Sequence, residues 1–163
     1  MVDDMIATLR TMTYPQLKGS LEKGARVIIW SCNTCARFCE GMGGREAVER
    51  LAKRLREDGF EVVHEELVTA SCLLEKVISK VERHPDEFGS ADVIIPLTCS
   101  EGQRTLEMAT DVKVLDACRT VGHGIHSEKG MMITFLVDHG QLDEPISLQE
   151  AAEMNGLHVG SYC

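Results

Sequence analysis

Two short apolar runs, residues 26–30 (Arg-Val-Ile-Ile-Trp) and 60–63 (Phe-Glu-Val-Val), bracket a single amphipathic segment, and this arrangement constrains the fold more than any other feature. Over residues 45–58, Val48, Leu51, Ala52 and Leu55 recur at i, i+3, i+4 and i+7 among charged residues, the spacing of one helix face. Gly59 stands where a helix C-terminal cap belongs. Strand, helix, strand predicts parallel neighbours joined across a helix.

The alternation continues along the chain. Leu73, Leu74, Val77, Ile78 and Val81 predict a helix over 71–83, which His84-Pro85 stops. Residues 91–97 (Ala-Asp-Val-Ile-Ile-Pro-Leu) predict a third strand, 103–109 a short helix, 112–115 a weaker strand and 131–137 a strong fifth. Ser147 and Glu150 form a capping-box pattern that opens a last helix ending near Gly156. Met5, Ile6 and Leu9 would share a helical face, which predicts an N-terminal helical arm over 1–10. The expectation is one α/β domain over 1–163, with a parallel flavodoxin-like or Rossmann-like sheet and helices on both faces. Hydrophobic residues at 44 % can supply its core, and aromatics at only 4 % leave that core to Val, Ile, Leu, Met and Ala.

Ligands of such sheets sit outside the carboxyl ends of the strands. Cys32, Cys35 and Cys39 follow the first strand, Cys72 the second, Cys99 the third and Cys118 the fourth. No stretch reads as a secretory signal or a membrane span, so a cytoplasmic, reducing setting is expected, where clustered cysteines point to metal or redox chemistry. The run C-x-x-C-x-x-x-C offers three thiolates from one loop, and Cys72 or Cys99 can supply a fourth. Four thiolates suit a [4Fe–4S] cluster or zinc. Zinc sites more often use two C-x-x-C knuckles, and this chain has one. The expected ligands are four of Cys32, Cys35, Cys39, Cys72 and Cys99. A rival reading takes Cys32-Asn-Thr-Cys35 as a thiol–disulfide redox pair.

Other residues near this edge carry weaker signals. Gly41-Met-Gly43-Gly44 matches neither G-x-G-x-x-G nor the P-loop, and reads as backbone free to wrap a cluster. His123 and His126 could ligate or carry protons, and Arg37, Arg104 and Arg119 could balance an anionic cluster. Cys163 reads as a tail thiol. No Ser-His-Asp ordering or carboxylate pair stands out, so no catalytic residue is assigned. The net charge of −9 argues against nucleic acid as a partner.

Around Cys32-Asn-Thr-Cys35-Ala-Arg-Phe-Cys39-Glu-Gly-Met-Gly43-Gly44, the chain resembles the MetV-type small subunit of methylenetetrahydrofolate reductases, also called the methylenetetrahydrofolate reductase C-terminal domain family. Thr69-Ala-Ser-Cys72 and Pro96-Leu-Thr-Cys99 fall where that family has cysteines after its next two strands. The resemblance spans roughly 26–124. It implies an iron–sulfur electron-transfer subunit that passes electrons to a flavin-containing partner in anaerobic one-carbon metabolism, with Cys32, Cys35, Cys39, Cys72 and Cys99 as candidate ligands. The family usually ends in a further cysteine-rich segment, whereas residues 149–163 carry one cysteine.

Overall fold

The structure, a computed structural model, describes residues 5–162. The first half contains β1 (Met5–Arg10), α1 (Tyr14–Ser20), β2 (Arg26–Cys32), α2 (Cys35–Phe38), α3 (Arg45–Glu57) and β3 (Glu61–Val68). Next come α4 (Leu74–Glu82), α5 (Pro85–Ser90), β4 (Val93–Leu97), α6 (Ser100–Ala109) and β5 (Lys113–Val114). The chain continues through β6 (Cys118–Ser127), β7 (Gly130–Leu136), β8 (Gly140–Ser147) and α7 (Leu148–Asn155).

The strands form two sheets. One is parallel, in the order β3-β2-β4-β5, and the other antiparallel, in the order β1-β6-β7-β8. Successive residues of a strand point to opposite faces. Val27 and Ile29 of β2 therefore pack with Leu51 and Leu55 of α3. Ile28 and Trp30 pack on the other face with Val77 of α4, Phe88 of α5 and Leu106 of α6. Covered on both faces, β2 must be apolar throughout, which is why it reads as an unbroken run.

A third core lies under the antiparallel sheet. Ala7, Leu9, Ile133 and Leu136 meet Leu148, Ala151 and Ala152 of α7 there. The same core takes in Cys32, Ala36, Cys39, Met42 and Cys118, so the cysteine loop is the seam between the two sheets.

Three expectations need correction. Residues 5–10 form a strand, not a helical arm, and residues 1–4 lie outside the described residues. Met5, Ala7 and Leu9 alternate and are all buried; in so short a window a period of two and a helical stripe compete, and the tertiary partner β6 decides. The strong strand near 131–137 is β7, which joins the antiparallel sheet. The strands thus divide between a parallel and an antiparallel sheet instead of forming one parallel sheet. β6 and β8 were not anticipated at all. β6 reads as a loop because of Gly122 and Gly124, yet a Cβ at either would strike the carbonyls of Phe135 or Met132 on β7. The helix stops hold: Gly59 and Gly156 adopt φ of 91° and 65°, and Ser147 Oγ accepts the Glu150 N–H at 3.1 Å.

Candidate metal centre

The parallel sheet changes direction of winding at β2, since β3 lies on one side of it and β4 on the other. The crevice beyond the ends of β2 and β4 is where such sheets take ligands. Cys32 is the last residue of β2, and Cys99 follows β4 by two residues as the N-cap of α6. Its Sγ accepts the Gly102 N–H at 3.4 Å. Cys35 opens α2 and Cys39 closes it. Cys72 sits in the turn between β3 and α4 and is exposed.

The loop is tied down from three directions. Ser31 Oγ, fully buried, accepts the Gly44 N–H at 2.8 Å and faces the Leu97 carbonyl at 3.2 Å. Gly43 is pressed so close that a Cβ there would lie 2.7 Å from Ser31 Oγ and 2.8 Å from Ala36 Cβ. Cys32 Sγ lies 3.1 Å from Thr34 Oγ1, which donates to the Thr69 carbonyl at 2.8 Å and so links the loop to β3. Cys39 Sγ donates to the Ile6 carbonyl at 3.3 Å and accepts the Thr8 N–H at 3.4 Å. Gly43 thus serves close approach of the loop to the ends of β2 and β4.

Burial pushes the Cys39 thiol up to about 12, against the Thr8 N–H, and raises Cys35 and Cys99 in the same direction. The thiols also repel one another's charge: Cys99 senses Cys32, Cys35 and Cys72, while Cys39 senses Cys35 and Cys99. The five expected ligands fall at or just beyond the carboxyl ends of β2, β3 and β4. A bound cation reverses the effect of burial, since it holds coordinating thiols deprotonated.

The spacing of the sulfurs bears on what they could hold. Among the described residues, no three cysteine sulfurs lie within 4.8 Å of one another. A tetrahedral zinc with bonds of about 2.3 Å needs sulfurs about 3.8 Å apart. A cubane binds each thiolate through a different iron, so it needs a wider set. The N–H groups of Thr8 and Gly102 point at two of these sulfurs, Cys39 Sγ and Cys99 Sγ.

Cys118 follows β5, the fourth strand of the parallel sheet, by four residues. It begins β6, is buried, and donates to Gln103 Oε1 at 3.3 Å, with burial pushing its thiol up to about 12. His123 stacks on Phe135, its cross-strand neighbour, at 4.8 Å, and His126 packs on Phe38 at 5.0 Å. The Arg37 guanidinium lies over the same Phe38 ring at 4.5 Å. Arg104 and Arg119 are exposed. Cys163 lies outside the described residues.

The sequence reading gives no weight to His64, Glu66 and His84, the one trio of His, Cys, Asp or Glu among the described residues whose ligand atoms all lie within 4.8 Å. The available signal was His-x-Glu on a strand, which puts both side chains on one face. No family model, curated protein or solved structure matches the chain.

Proposed function

We propose that the chain is an iron–sulfur electron-transfer subunit of a one-carbon, methylenetetrahydrofolate reductase-like or related anaerobic redox complex in the cytoplasm. The observation that carries this reading is the gathering of Cys32, Cys35, Cys39, Cys72 and Cys99 near the turn in strand order, from three separate segments of chain. The order β3-β2-β4-β5 matches the first four strands of a flavodoxin-like sheet, which supports placing the cofactor at that crevice.

Four of these five cysteines would hold a [4Fe–4S] cluster, which when bound supplies one-electron chemistry. The chain's own residues do the rest. The N–H groups of Thr8 and Gly102 donate to sulfur and stabilise its negative charge. Met42, Ala36 and Leu9 exclude water on the inner side. Exposed Cys72 and half-buried Cys35 leave the outer side open, so a flavin-containing partner would dock there. A thiol–disulfide role for Cys32 and Cys35 fits less well, because burial raises the Cys35 thiol instead of activating it.

The test is iron, sulfide and zinc analysis with a visible spectrum, on protein purified without oxygen. About four irons and four sulfides per chain, with broad visible absorbance, would support the reading. Zinc held by the cysteines, with no iron after reconstitution, would sink it.

A further inference from the structure

A second constellation lies on the face of β3 that packs on the helices. His64 and Glu66 are two residues apart and therefore share a face, alongside Ile28 and Trp30 of β2, with which they pair in register. Pro85 follows and keeps His84 out of the helical conformation, at φ −128° and ψ 57°, at the α4–α5 junction. This brings the His84 ring 4.1 Å from the His64 ring, centroid to centroid.

Glu66 is only 7 % exposed, and a buried carboxylate needs partners. Its two oxygens are treated differently. Oε2 accepts the Leu67 N–H at 3.2 Å and faces Lys80 Nζ at 3.5 Å. Oε1 faces two imidazole nitrogens, His64 Nε2 at 3.3 Å and His84 Nε2 at 3.6 Å. Burial opposes its charge, but His64, Lys80 and the Leu67 N–H together hold the carboxyl below its usual range.

We propose that His64, Glu66 and His84 bind one divalent metal ion of borderline softness, zinc(II) being the best match. With bonds of about 2.0–2.1 Å, the edge of a tetrahedral zinc site spans about 3.3–3.4 Å, close to the two nitrogen–oxygen separations observed. Two histidines and a carboxylate are a zinc donor set that leaves a fourth position open. Glu87 Oε2 lies 3.8 Å from His84 Nδ1, on the side of the ring away from Glu66, and braces the ring with Nε2 towards Glu66. The His84 side chain is 35 % exposed, so an ion can reach the site. Lys80 opposes the ion, but it faces Oε2, the oxygen that does not point at the histidines.

The site is independent of the cysteines, and the test keeps them apart. Protein with its cysteine site reconstituted would be dialysed to equilibrium against Zn²⁺, and in parallel against Co²⁺ as a spectroscopic probe. Wild type is expected to take up one more Zn²⁺ per chain than His64→Gln or His84→Gln, with unchanged iron content. The Co²⁺ spectrum of that extra site should lack thiolate-to-metal charge transfer. Glu87→Gln should weaken binding about tenfold, and Lys80→Gln should tighten it. Equal zinc stoichiometry in wild type and both folded histidine variants would overturn the proposal, as would a thiolate signature for the extra cobalt.

Discussion

The backbone N–H of Thr8 points at Cys39 Sγ from 3.4 Å, so the third thiol of the loop completes the outer edge of β1. β1 is the terminal strand of its sheet, and its inner side pairs with β6. On its outer side, the Ile6 carbonyl takes the Cys39 thiol and Arg10 exchanges backbone bonds with His158. A strand edge that would otherwise be exposed is thus covered by the cysteine loop and the C-terminal segment. The candidate site and the second sheet are parts of one packing arrangement.

Cys39→Ala should therefore destabilise the chain even without metal. It leaves the Thr8 N–H without its acceptor in a buried setting, at a cost of about 1–3 kcal/mol. Cys72 is exposed, and Cys72→Ala should change metal-free stability by less than about 0.5 kcal/mol. Urea unfolding of the two variants would check the contrast, and equal midpoints would show that Cys39 has no such structural role.

Gly43→Ala tests whether the loop must press against β2. The added Cβ meets Ser31 Oγ at 2.7 Å, Ala36 Cβ at 2.8 Å and the Leu97 carbonyl at 3.0 Å. Relief requires the loop to move off the ends of β2 and β4, which costs about 1–3 kcal/mol and spreads Cys32, Cys35 and Cys39 from Cys99. Iron retained per chain after anaerobic reconstitution should fall well below wild type. Gly41→Ala, which meets nothing within 4 Å but stands at φ 69°, separates backbone strain from crowding and should retain more iron.

The parallel half of the fold was legible because β2, α3 and β4 carry long, one-sided signals. Burial on both faces makes β2 wholly apolar, and α3 holds its stripe over three turns. The position of the cysteines followed from that half, since strand ends define the crevice. In the antiparallel half β7 and α7 were legible, but β1, β6 and β8 were not, for a different reason. β6 is held by contacts to β1 and β7, and its two glycines exist for backbone approach across the sheet, so local propensity points away from a strand. Cys118 does follow the fourth strand, β5, as expected, but it also begins β6. The trio on β3 escaped notice because His84 reaches it only through the turn that Pro85 imposes between α4 and α5.

Ser71, next to Cys72, joins the chain's single tryptophan to α6. Trp30 Nε1 donates to Ser71 Oγ at 3.0 Å, which donates on to the Gly102 carbonyl at 3.2 Å, and Thr105 Oγ1 donates to the Ser71 carbonyl. Ser71→Ala leaves the buried indole N–H unpaired, a loss of about 1–3 kcal/mol. With one tryptophan in the chain, its fluorescence maximum should shift as this bond is lost. An unchanged spectrum together with unchanged stability would mean the bond does not form in solution.

The pH dependence of stability should carry a signature of α1 docking on α3. Tyr14 Oη donates to Asp58 Oδ2 at 2.6 Å, Lys18 Nζ stands 3.6 Å from the same carboxyl, and the Arg54 guanidinium lies over the Tyr14 ring at 3.7 Å. The Tyr14 hydroxyl, then Lys18 and Arg54, hold the Asp58 carboxyl below the usual range. A depressed carboxyl contributes stability above its unfolded value, about 3.9, and loses it as pH falls through the folded value. Burial, followed by the bond to Asp58, pushes the Tyr14 hydroxyl well above its ordinary value, so its contribution is whole below about pH 10 and is lost at higher pH. Tyr14→Phe should therefore flatten the melting temperature against pH at both ends, below pH 4 and above pH 10. Asp58→Asn should flatten the acid limb and keep most of the alkaline one, because burial remains. Melting curves across that range would check both, and an acid limb in Tyr14→Phe as steep as wild type would place the acid sensitivity on other carboxylates.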